Sequence, residues 1–124
     1  MSEAFQYTVL QVVPSIERGE RFNAGVVLFC RRSRFLEAAI DLSAAKWEAL
    51  GGGGDPAEVE RHLEVLRAVA GGEGAHAVAV LDQSERFHWL AAPSSTIVQP
   101  TPVHTGLTDD PQETLRRLHA GLVI

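Results

Sequence analysis

Along the first forty residues, apolar and polar positions alternate in short runs separated by charged turns, the pattern expected of strands. Phe5 to Val13 is rich in aromatic and β-branched side chains, and Pro14 closes it. As a strand it places Phe5, Tyr7, Val9 and Val13 on one face, interrupted by Gln11, with Leu10 and Val12 on the other. Both faces are therefore expected to be partly covered. Phe22 to Cys30 reads as a second strand. Gly25 in its middle marks either a bulge or a close approach of another backbone. Arg31, Arg32, Ser33 and Arg34 form the tip of a hairpin, and Phe35 to Ile40 the third strand. Short connections between consecutive strands predict an antiparallel meander.

The period then lengthens to that of helices. Ser43 is placed to cap a short helix carrying Trp47 and Leu50, with Gly51 as its stop. Gly51 to Gly54 reads as a flexible joint. Asp55, Pro56 and Glu58 are a helix start: a cap, a proline whose missing N–H costs nothing there, and a carboxylate three residues after the cap. Val59, Leu63, Leu66 and Ala70 form one stripe, while Glu58, Arg61, Glu64 and Arg67 are spaced for exposed ion pairs. Gly71 and Gly72 end the helix. Ala75 to Leu81 fits a buried strand or a helix of small residues equally well. Ser84 to Leu90 reads as helical turns with Phe87 and Leu90 inward, ended by Pro93. Ser95 to Gln99 reads as an edge strand, since Pro100 and Pro102 follow at once. Asp110, Pro111 and Glu113 repeat the helix-start chemistry and open a final helix with Leu115 and Leu118 inward, stopping near Gly121. The order predicts an α+β fold: an antiparallel β-meander with two or three helices packed on one face.

Composition narrows the classes. The 124 residues are 45% hydrophobic and 22% charged, which suits one folded domain over residues 1–124 and argues against disorder. Eleven basic residues stand against sixteen acidic ones, for a net charge of −5. Nucleic-acid affinity rests largely on cations neutralising phosphates, so that class of partner is disfavoured. The single cysteine, Cys30, rules out an internal disulfide and points to a reducing compartment. Met1 to Phe5 lacks the basic and apolar regions of a secretory signal. The apolar runs fall short of the ~20 residues that span a bilayer. The expectation is a bacterial cytoplasmic protein without membrane contact.

Catalytic motifs fail one by one. No Gly-Lys-Ser/Thr opens a helix, and the glycine run follows a helix instead of a strand, so neither phosphate-loop nor dinucleotide fingerprints apply. Gly-x-Ser-x-Gly is absent. Cys30 beside Arg31 and Arg32 has the composition of an activated thiol, but a lone cysteine at a strand end is more often a small buried apolar group. His62, His76, His88, His104 and His119 show no metal-ligand spacing, and Glu58 with His62 alone is weak. No catalytic residue, metal or cofactor is assigned. Arg31, Arg32 and Arg34 read as a solvated hairpin tip.

Two polar sets remain. Arg18, Glu20 and Asn23 lie beside the glycine-bearing second strand. Arg86, Ser94, Ser95, Thr96, Gln99 and His104 form the other. An arginine with neighbouring hydroxyls suits a phosphate or carboxylate, and the two sets are expected to meet on one surface. The competing reading has the arginines paired with Glu17, Glu20 or Glu85 and the hydroxyls capping turns.

Arg18 to Phe29 and Arg86 to Gln99, continuing from Pro102 to Leu107, together with Tyr7 to Pro14, resemble a bacterial family catalogued as domain of unknown function 3037. The resemblance runs over nearly the whole chain. It implies a small stand-alone protein, often encoded beside a kinase-like protein of the HipA type, and it carries no activity and so no catalytic residue. The expected function is a non-enzymatic accessory module that contacts a protein partner through the polar surface near Arg18, Asn23, Arg86 and Ser94 to Thr96, or through an open sheet edge. The alternative is a domain or enzyme for a small anionic ligand, with Arg18 and Arg86 as anchors.

Overall fold

In the computed structural model, which describes residues 2–124, the predicted meander is present. Strands β1 (Glu3–Val12), β2 (Phe22–Cys30) and β3 (Phe35–Ile40) pair in antiparallel fashion, in the order β3-β2-β1. The hairpin tip Arg31 to Arg34 closes with the Arg34 amide donating to the Arg31 carbonyl at 3.1 Å, and Arg34 takes a left-handed φ of 55°. Two short strands share the remaining side of β1. β4 (Val98–Pro100) pairs with Leu10 to Val12, and β5 (His104–Thr108) pairs with Glu3 to Tyr7. The expected edge strand is thus present but shifted: it begins at Val98 and includes Pro100, because Ser94 and Thr96 are occupied in a turn. β5 was not expected. His104 to Thr108 lacks apolar alternation and carries Gly106, so only its pairing with β1 makes it a strand.

Gly25 marks both features that an interior glycine suggests. The register slips between Leu10, opposite Gly25, and Gln11, opposite Asn23, leaving Ala24 as an extra residue. A Cβ on Gly25 would stand 3.1 Å from the Ala39 carbonyl and from the Ile40 side chain. After the bulge the alternation of β2 flips. Phe22, Ala24, Val27 and Phe29 therefore face one core, while Val26, Leu28 and Cys30 face another.

The first core lies under α1 (Ala44–Ala49), α2 (Ala57–Ala70) and α3 (Gln83–Ala91), which supply Trp47, Leu63, Leu66, Phe87 and Leu90. The predicted stripe Val59, Leu63, Leu66, Ala70 is buried throughout. Each of its large members stabilises by roughly 1.5–3 kcal/mol. Of the predicted ladder of charges, Arg67 pairs with Glu64 and reaches Glu73 as well. The second core lies under α4 (Pro111–Leu122), with Leu115, Leu118 and Val123 against Phe5, Leu28 and Cys30. Helices on one face are as expected; α4 adds a layer on the other. Its tether is a buried pair of hydroxyls, Thr108 and Thr114, 2.6 Å apart.

Local chemistry sets the ends. Ser43, Asp82 and Asp110 each accept the backbone amide three residues on, capping α1, α3 and α4. Asp55 works one position early, accepting from the Ala57 amide at 3.1 Å. Within the glycine run, a Cβ on Gly52 would stand 2.4 Å from the Trp47 indole, so that position packs against the ring, whereas Gly53 and Gly54 have open space around them. Ala75 to Leu81 is neither strand nor α-helix but a 3₁₀ turn over Ala77–Val80, capped by the His76 imidazole.

Candidate functional site

The two arginines expected to anchor a ligand do not converge. Arg18 lies in the β1–β2 connection, where β2 begins. Arg86 lies on α3, whose first turn touches the hairpin at the other end of β2 through Gln83 and Ser84. Arg18 forms an exposed ion pair with Glu20. Arg86 is a building part. Its guanidinium donates to the Leu81 carbonyl at 2.6 Å and to the Ala70 carbonyl, in the last turn of α2, at 3.3 Å. A cation at a helix C-terminus complements the unsatisfied carbonyls there. The pairing of Arg86 with Glu85 does not form either; backbone oxygens hold it instead.

Asn23 and Gln99 do come together, flanking Gln11 on the α4 face. Asn23 accepts from the Gln11 amide at 3.0 Å and donates to the Leu122 carbonyl at 2.9 Å, fastening the end of α4. Gln99 accepts from Arg21 and donates to the Thr96 carbonyl. His104 stands apart on β5, stacked on Tyr7 at 5.2 Å. Ser95 is exposed. Cys30 is buried, and its thiol donates to Glu3 at 2.8 Å. Burial, then that carboxylate, pushes the thiol pKa up, the reverse of what a nucleophile needs.

Ser94 and Thr96 lie on the rim of a cleft. Between α2, α3 and β4 lies a slot of about 300 Å³ lined by Leu10, Leu66, Leu90 and Val98. His62, Trp89 and Pro93 complete its walls. Ser94 and Thr96 hydroxyls are 2.9 Å apart, and Thr96 donates onward to the Val98 carbonyl. They brace the turn that forms one wall, which is the turn-capping role weighed for them. Trp89 is 40% exposed, with its ring tilted against His76 at 4.8 Å. Sequence reasoning missed Trp89 and His62. The signal was present: with Phe87 and Leu90 inward, helical spacing turns Trp89 to the flank of α3.

The site has the makings of a recognition slot: an apolar floor, a half-exposed indole and a hydroxyl rim. Among the described residues no group of three or more His, Cys, Asp or Glu stands together. No described helix is long and apolar enough to cross a membrane.

Fold and slot define an antiparallel α+β protein with helices on both faces of its sheet and an aromatic cleft between two of them. The chain belongs to the family described as Protein of unknown function (DUF3037), whose model matches residues 7–123. No curated protein and no solved structure matches it.

Proposed function

We propose that this protein is a binding module that receives an apolar side chain of a protein partner in the slot between α2, α3 and β4. The observation that carries the reading is Trp89, held by His76 at the mouth of a cleft whose floor is the core itself. Tryptophan is the residue type most enriched where partners bind tightly, because it offers large, rigid apolar area with a polar edge. The rim hydroxyls supply the polar border of such a contact. Strand addition on the β4–β5 side of the sheet is less favoured. The β4–β5 edge is broken at Thr101, whose amide and hydroxyl are both bonded to Val9.

A kinase-like protein of the HipA type encoded nearby, which the family resemblance implies, is the first partner to try. The experiment is a binding assay between the two purified proteins, comparing wild type with Trp89→Ala and with Ser94→Glu, which places a charge on the rim. Both positions are exposed, so the fold is expected to survive. Loss of at least ~2 kcal/mol of affinity in Trp89→Ala marks it as the centre of the contact. Binding unaffected by either change removes the slot from the interface.

A further inference from the structure

We infer that the opposite flank of α3 carries a second site, one that takes a small carboxylate with an apolar body. This goes beyond the partner-binding reading and does not rest on it. α3 packs on β2 through Phe87 against Phe29, and Arg31 reaches its Ser84. There a cleft of about 640 Å³ is lined by Ala4, Gln6, Phe29 and Thr105, with Arg31 and Arg32 at its rim. That volume is within the range of pockets that hold drug-sized ligands. No carboxylate lines it, in a chain of net charge −5.

Several of the other arginines are engaged elsewhere. Arg18, Arg67 and Arg116 are paired with glutamates. Arg86 is bonded to carbonyls and Arg21 to Gln99. Arg31 instead lies over the Phe29 ring, 5.5 Å from its centroid, and donates one N–H to the Ser84 hydroxyl at 3.3 Å. The ring and the hydroxyl engage one side of the guanidinium, and Arg31 also lines the cleft. A guanidinium carries paired N–H donors that match a carboxylate through two parallel hydrogen bonds. Hydrogen bonds from the Cys30 thiol and from Ser33 do most to hold the Glu3 pKa down, and the Arg32 charge adds to them. Arg32 lines the cleft beside Arg31 and adds positive charge at its rim.

Cationic rim and apolar floor together select one chemistry. A neutral apolar molecule gains nothing from the arginines, and a cation is repelled by them. A fully polar anion leaves Phe29, Ala4 and the strand surface wet. A carboxylate with an aliphatic or aromatic body satisfies both.

The test is calorimetric titration of the intact protein with decanoate, decan-1-ol and decylamine below their aggregation concentrations, with amide chemical shifts followed in parallel. Decanoate is expected to bind saturably, to shift Thr105 and Gly106, and to lose affinity about ten- to a hundredfold in Arg31→Gln. Thr105→Trp, a β-compatible change on an exposed strand position, is expected to fill the cleft and abolish binding while the rest of the spectrum stays folded. Equal binding of all three probes overturns the inference. So does a decanoate Kd weaker than about 1 mM, or binding indifferent to both variants.

Discussion

If Arg86 is a structural part and not a ligand anchor, replacing it must cost stability. The change to make is Arg86→Met, which keeps the apolar stem and removes the guanidinium. The structure gives the terms. Two charge-assisted bonds disappear, at 2.6 Å to the Leu81 carbonyl and 3.3 Å to the Ala70 carbonyl. Bonds to charged groups are worth about 1.5–3 kcal/mol each, and the longer one belongs at the bottom of that range. Against this, the Arg86 Nε is buried without a partner, and its removal returns about 1–3 kcal/mol. The net expectation is a loss of about 2 kcal/mol. In a domain of this size that lowers Tm by roughly 6–10 °C. Urea unfolding followed by circular dichroism measures it, and an unchanged slope would show that only stability moved. Hydrogen exchange at the C-terminal turn of α2 and over Ala77–Val80 should rise first, since Arg86 ties those two together. A variant within about 0.5 kcal/mol of wild type would refute the assignment, because surface substitutions away from structural features fall in that band.

Gly106→Val should destabilise by about 1–3 kcal/mol in the same assay, since its Cβ would stand 2.8 Å from the Phe5 ring and force the second core to shift. Arg34→Gly should stabilise by about 0.5–1 kcal/mol, because a left-handed φ of 55° is strained for any side chain; no gain in Tm would show the turn is set otherwise. Cys30 should react with a thiol reagent at pH 8 only as fast as the protein opens, and quickly in denaturant; fast native reaction would contradict its raised pKa. Hydrogen bonds from the Arg67 and Arg116 guanidinia hold the Glu64 and Glu113 carboxyls below their ordinary 4.5. Folded values below unfolded ones give stability that is present above pH 4.5 and is lost as pH falls through the lowered values. Glu64→Gln with Glu113→Gln should flatten the urea midpoint between pH 5 and 3.

What was legible in the chain followed from local physics. The meander came from alternation, α2 from its stripe, α4 from Asp110 and Pro111, and the bulge from Gly25. What was not legible depends on partners distant in sequence. His104 to Thr108 becomes a strand only because Glu3 to Tyr7 lies beside it. The final helix packs under the sheet through Leu115 and Leu118, and Asn23, turned that way by the bulge at Ala24, holds its end at the Leu122 carbonyl. Arginine and hydroxyl residues looked like a binding set because their composition is the same whether they face a ligand or a carbonyl. Arg86 beside Ala70 is the second case. With Phe87 and Leu90 inward, helical spacing places Trp89 on the flank of α3, and that much is legible in the sequence.

The divided edge of the sheet bears on how these molecules behave when crowded together. A long unpaired strand invites another chain to add to it, and so seeds aggregation. Here that edge is cut into pieces of three and five residues with Pro100 and Pro102 around the break. Neither proline offers an N–H, so an incoming strand meets gaps where it needs donors. Replacing both prolines would restore donors along this side and make it a better template for an added strand, while β3, the other outer strand, stays as it is.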